Sequence, residues 1–208
     1  DILADVDTED EITEESEPDA DIKDMAEDVK SEEDDVAETF VKTIISKKEE
    51  RNLIQTISGL GSYNKLVNIA LKFKEKLNID EKKIFILYDG DVTDDDEKKS
   101  KAEKDATDHG FQYDFLPSKF SPEKYIVSKI NQNKNFLLDL FGYEEQECLD
   151  FNSLDDPHSI FQYLSRTVGN TDNEDGIIET KNKIIDKICR ENSSDFKEIK
   201  EKIQAMLK

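Results

Sequence analysis

The stretch "KIFILYD", residues 83–89, constrains this chain more than any other. Its apolar residues, Ile84 to Tyr88, follow one another without alternation, so the strand they predict has no side to give to water. Strands of that kind lie in parallel sheets with both faces covered. The run then enters "GDVTDDDEKK", which places six acidic residues within the nine positions 89–97. Any polar turn would end a strand, so this concentration of charge needs its own cause.

The flanking segments supply the covering layers. Val36, Phe40, Val41, Ile44 and Ile45 recur at helical spacing and predict an amphipathic helix from about Asp35. "NLIQTI", 52–57, reads as a short strand that stops at "SGLGS", where Gly59 and Gly61 permit a tight turn or a backbone approach to phosphate. Ser62 is placed to cap a helix whose apolar face is Leu66, Ala70, Phe73 and Leu77. Residues 97–108 are polar and helix-compatible, and "GFQYDFLP", 110–117, is a second strand closed by proline. Helix and strand thus alternate, which implies crossover connections and a parallel α/β sheet. After Ser121 the pattern is helical, with one stripe at Ile160, Phe161, Leu164 and Val168 and another at Ile177, Ile178, Ile184, Ile185 and Ile188. The second stripe is richer than a lone peripheral helix needs, so these helices either cap the sheet or pair with another chain in a homo-oligomer.

Charge is distributed unevenly. Of 51 Asp and Glu against 29 Lys and Arg, residues 1–40 hold 19 acids and only Lys23 and Lys30. That is a net −17 of the total −22, which leaves −5 for the rest. Residues 1–28 therefore read as an acidic, disordered tail or linker, because they bury too little apolar surface to offset the entropy of ordering. No apolar run reaches the roughly 20 residues that cross a bilayer, and no signal peptide is evident, so a soluble cytoplasmic protein is expected. Cys148 and Cys189 lack metal or disulfide spacing, and His109 and His158 sit alone in turn-like contexts.

In open parallel sheets ligands gather beyond the carboxyl ends of the strands, where Asp89 and Asp91 stand. On an extended segment, residues two apart point the same way, so both carboxylates can reach one ion. Mg2+ or Mn2+ suits them, since such hard cations take carboxylate oxygens and keep waters that a phosphate can replace. The competing reading is a plain turn followed by a helix start, in which acids favour the positive end of the helix dipole.

The ordered set "EEDDVAETFVKTII", "SGLGSYNKLVNIA", "IFILYDGDVTDDDE" and "FLPSKFSPEKYI" resembles the TOPRIM domain of the overcoming-lysogenization-defect (OLD) family of ATP-dependent endonucleases, known from antiviral defence. The resemblance covers about residues 30–130. It implies a TOPRIM-like, Rossmann-like parallel sheet flanked by helices over 29–130, with a helical C-terminal extension over 131–208. By position it assigns metal to Glu33, Asp89, Asp91 and Glu123, with Glu32 or Asp34 as alternatives to Glu33. Lys119 or Lys124 is the lysine that meets the transition state. Glu33 departs from the family pattern, in which the first acid follows an apolar strand. The ATPase half of the family is not encoded here, as no GxxxxGK[ST] occurs. Ser121, Pro122 and Glu123 also form a sufficient helix start by themselves.

The function so implied is Mg2+- or Mn2+-dependent hydrolysis of DNA phosphodiesters, with an ATPase subunit or domain as partner. The alternative is an inactive TOPRIM-like interaction protein whose acidic tail binds a basic partner or mimics DNA. Net charge weighs against the nuclease, since DNA affinity comes from lysines and arginines meeting phosphates, although the chain beyond the tail is only mildly acidic; the departure at Glu33 favours the alternative. The intact Asp89–Gly90–Asp91 favours the enzyme.

Overall fold

The computed structural model describes residues 35–45, 47–56, 62–154, 156, 159–170 and 173–208. Along these residues run α1 (Asp35–Ile44), the single turn α2 (Lys48–Arg51), α3 (Tyr63–Leu77), β1 (Phe85–Tyr88), α4 (Asp96–Asp108) and β2 (Gln112–Phe115). Helices α5 (Pro122–Gln132), α6 (Phe136–Phe141), α7 (Ile160–Thr167), α8 (Glu174–Glu191) and α9 (Lys197–Met206) follow. The described chain is mixed α/β and mostly helical, around a two-stranded parallel sheet.

The pattern of β1 is explained by its two faces. Phe85 and Leu87 pack on a large apolar cluster that also holds Phe40, Ile126, Leu164 and Ile185. Ile86 and Tyr88 belong to a smaller cluster with Val67, Ala70, Ala102 and Ala106. On this side Val67, Ala70, Ala102 and Ala106 of α3 and α4 are buried deepest, with Tyr63, Leu66 and Leu71 of α3 packed around them. The crossover through α4 makes β2 parallel to β1, in the register Phe85 to Gln112 and Tyr88 to Phe115. Leu116 N–H then donates to Tyr88 O at 2.8 Å, so both strands end together.

The strand expected over 52–57 does not form: residues 52–56 are a turn and irregular chain, and Ile57 lies outside the described residues. Helical turns take its backbone donors instead. Asn52 N–H bonds Lys48 O at 3.0 Å, Leu53 N–H bonds Glu50 O at 3.1 Å, and Ile54 N–H bonds Arg51 O at 3.2 Å. Leu53 is left 69% exposed. In α3 the buried residues are Val67 and Ala70, whereas Leu77 of the expected stripe is 40% exposed. Ser62 holds the cap position without a side-chain hydrogen bond to the first turn.

The larger cluster joins α1 to the helices after β2. Ile184, Ile185 and Ile188 of α8 are fully buried in it, so the stripe noted in the sequence is covered within the chain, although Ile178 stays 40% exposed. Burying such a side chain stabilises by roughly 1.5–3 kcal/mol. Phe40 stacks on Phe196 with centroids 5.2 Å apart, and Tyr125 meets Phe196 edge-on at 6.1 Å.

Two polar ties fix the later helices. Asp195 Oδ2 accepts from the Tyr125 hydroxyl at 3.0 Å and from Lys129 Nζ at 3.1 Å, and Lys129 Nζ also donates to Asn192 Oδ1 at 2.7 Å. Burial and the Asp195 carboxylate both push the Tyr125 phenol above its ordinary range, so it remains a donor. Asp195 shifts the other way: burial opposes its ionisation, but the bonds from Lys129 and Tyr125 prevail and hold it below the usual value. On β2, the charged Asp114 is accommodated by Lys202 of α9, whose Nζ lies 3.0 Å from its Oδ2 and donates to Tyr113 O at 3.3 Å. No described helix is long and apolar enough to cross a membrane.

Candidate metal centre at the end of strand β1

Beyond Tyr88 the chain takes one extended residue, Asp89 (φ −65°, ψ 151°), and turns at once into a 3-10 turn over Gly90–Asp94. The reason is visible at Gly90, which is buried. A Cβ built there would lie 2.7 Å from Ser118 O, 2.8 Å from Phe120 O and 3.0 Å from Leu116 O. Only glycine admits the backbone of the 116–120 loop so closely. Thr93 locks the pair of loops, its hydroxyl lying 2.7 Å from Gly90 O and 3.3 Å from Ser118 O. Ser118 adopts φ +83°, unusual for a residue with a side chain, and its Oγ accepts from Phe120 N–H at 3.1 Å.

This junction decides where the expected residues stand. Asp89 is half-buried and Asp91 exposed, one on each side of the clamped glycine. Asp91 belongs to the turn, so strand alternation does not align it with Asp89; with three residues per turn, positions two apart diverge. Glu123 lies in the first turn of α5 and is only 3% exposed. Lys119 is exposed, 3.9 Å from Asp94 Oδ1, a pair worth about 0–1 kcal/mol at such a surface. Lys124 is exposed, with Nζ 4.9 Å from the centre of the Phe120 ring. Ser121 caps α5 by accepting from Lys124 N–H at 3.4 Å, with Pro122 beside it, as the sequence indicated. Glu32, Glu33 and Asp34, and with them Gly59 and Gly61, lie outside the described residues.

Part of the acidic run has a structural use. Asp95 Oδ1 accepts from Glu97 N–H at 3.0 Å and Lys98 N–H at 3.1 Å, which caps α4, and Asp96 and Glu97 occupy its first turn. Asp89 and Asp91 are not needed for that cap. Among the described residues no group of three or more His, Cys, Asp or Glu is gathered to hold a metal ion. Asp89 and Asp91 carry the hard carboxylate oxygens that Mg2+ takes, but the turn between them removes the strand geometry that would align the two side chains.

The sequence reading missed how much of this site rests on Gly90, Thr93 and Ser118. Gly90 carried a signal in the motif itself, a glycine between two metal-type acids at a strand end. Thr93 and Ser118 carried none, because their partners are backbone carbonyls brought close only by the fold. Cys189 is buried, which pushes its thiol up to about 12, and Cys148 is exposed; neither belongs to this edge.

No protein-family model, curated protein or solved structure matches the chain.

Proposed function

We propose that the chain is a TOPRIM-like, divalent-metal-dependent endonuclease that hydrolyses DNA phosphodiesters, acting with an ATPase subunit or domain in an OLD-type defence system. One observation carries the reading. Gly90, between Asp89 and Asp91, is packed against the carbonyls of Leu116, Ser118 and Phe120, so the loop bearing Lys119 and leading to Glu123 and Lys124 is fixed at the acidic edge. The acid-bearing turn and the loop carrying Lys119 are thus neighbours in the fold, although Asp89, Asp91 and Glu123 do not form one three-acid group.

A bound Mg2+ or Mn2+ would supply Lewis acidity and a water of lowered pKa. The chain's own residues do the rest. Asp89 and Asp91 would hold the ion, with Glu123 and an acid among Glu32, Glu33 and Asp34 as the further ligands of the family pattern. Lys119 or Lys124 would neutralise charge that grows on the phosphate oxygens as the bond breaks. The Ser118 turn and the Thr93 bonds keep the lysine-bearing loop from drifting away, which matters because a misplaced charge stabilises little. Asp89→Ala should abolish Mn2+-dependent nicking of plasmid and leave the fold intact.

A second reading is favoured by the absence of a three-acid group among the described residues. In that reading the edge is inactive and the chain is an interaction module whose acidic tail, residues 1–28, binds a basic partner or mimics DNA. Retention of plasmid in its supercoiled form by the wild type with Mn2+ and the ATPase partner would select it.

A further inference from the structure

We propose that Phe120 is a stacking platform for an unpaired nucleobase, so that this edge takes DNA where a base is unpaired, in a single strand or in a locally melted stretch of supercoiled plasmid, rather than fully paired linear helix. The proposal rests on the reading of the Asp89–Asp91 edge as a phosphodiester site and adds the substrate class. Phe120 is a large aromatic residue left 40% exposed, in a chain that buries most of its phenylalanines or packs them against a core. Its backbone is fixed: the carbonyl is pressed on Gly90 and the N–H is held by Ser118 Oγ. The backbone of Phe120 therefore lies against Gly90, the residue between the two acids, and cannot withdraw with a wandering loop.

The surroundings suit a nucleotide better than a protein side chain or lipid. Lys124 Nζ lies 4.9 Å from the ring centre, and Lys119 precedes Phe120 directly in the chain. The ring face that Lys124 does not cover offers a base its π-surface, and the Lys124 ammonium offers an adjoining phosphate its counter-charge, the combination by which single strands are held without sequence preference. In a paired duplex the base faces are already stacked on one another, so the ring has nothing to receive unless a base is unpaired.

The chain contains no tryptophan, so Phe120→Trp installs a single fluorophore at the platform. The full-length variant is titrated in EDTA, where no metal-dependent cleavage can consume the probe, with a short oligothymidylate and with a blunt duplex of equal length. Expected are quenching by the oligothymidylate and little response to the duplex. In parallel, anisotropy of a labelled oligothymidylate should show Phe120→Ala binding roughly 5- to 150-fold more weakly than wild type, with Phe120→Tyr restoring affinity. Unquenched tryptophan at oligonucleotide concentrations that saturate the wild type would overturn the proposal, as would equal quenching by the blunt duplex or unchanged affinity in Phe120→Ala. The anisotropy comparison decides the matter if the tryptophan variant fails to fold, and a wild type that does not bind the oligonucleotide overturns the proposal outright. Quenching without Mn2+-dependent cleavage would keep the platform and remove the nuclease. Cleavage without quenching would do the reverse.

Discussion

Gly90→Ala is the substitution whose outcome the structure dictates most narrowly. The added methyl would lie 2.7, 2.8 and 3.0 Å from the carbonyl oxygens of Ser118, Phe120 and Leu116. These are backbone atoms, so no rotamer change relieves the clash, and the 116–120 loop has to move. Overpacking of this kind costs about 1–3 kcal/mol, and three rigid contacts place it toward the upper end. Removing a glycine from the unfolded chain returns about 0.4–1 kcal/mol, which leaves a net loss of about 1–2.5 kcal/mol. At 2–4 °C per kcal/mol for a domain of this size, the melting temperature should fall by about 2–10 °C. Thermal unfolding followed by circular dichroism reads this directly. Gly142→Ala is the control: its φ of +72° strains any side chain, but nothing lies within 4 Å of the added methyl. A Gly90→Ala protein that melts within 1 °C of wild type, measured against an error of about that size, would refute the close packing of the two loops.

Other substitutions test the frame around the site. Ile185→Ala removes a fully buried side chain of α8 and should cost about 2–5 kcal/mol in denaturant unfolding, with no measurable loss meaning that α8 does not pack as described. Tyr125→Phe leaves Asp195 with one donor fewer and should cost about 0.5–1.5 kcal/mol at neutral pH. Asp195→Asn should destabilise above the ordinary carboxylate pKa. Because the folded-state pKa of Asp195 is depressed, its contribution is present at neutral pH and lost as pH falls through the folded value. The gap between wild type and Asp195→Asn should therefore narrow on acidification below about pH 4, and a gap that widens there would contradict the Lys129 and Tyr125 bonds.

How far the sequence revealed this arrangement depended on how many elements each pattern had to anticipate. β1 was legible because an unbroken apolar run from Ile84 to Tyr88 fits only a strand covered on both faces, and Phe85 and Ile86 do face different clusters. α1 and α4 were legible from helical spacing and polar content, whereas the Asp95 cap of α4 emerged only in the structure. "NLIQTI" misled because β-branched and apolar residues favour strands only when a neighbour offers a ladder, and the preceding helical turn had already taken the donors of Asn52, Leu53 and Ile54. In α3 two apolar stripes overlap. The larger residues, Leu66, Phe73 and Leu77, suggested one face, but α3 sets Val67 and Ala70 deepest, in the cluster that also holds Ala102 and Ala106 of α4. At the site, the Asp89–Gly90–Asp91 motif marked the place. The folding of Ser118 and Phe120 back onto Gly90 depends on contacts more than 25 residues apart and left no local trace.

The central claim is that Asp89 and Asp91 hold a catalytic divalent ion, and the most direct measurement is plasmid nicking by wild type and Asp89→Ala with millimolar Mn2+, alongside the melting temperature of each with and without the ion. The account predicts nicking by the wild type, none by the variant, and a Mn2+-dependent rise in melting temperature that the variant loses. At a hundredfold excess over the dissociation constant the ion should stabilise the folded wild type by about 2.7 kcal/mol. Wild-type protein whose melting temperature ignores Mn2+ and which leaves plasmid intact would contradict it.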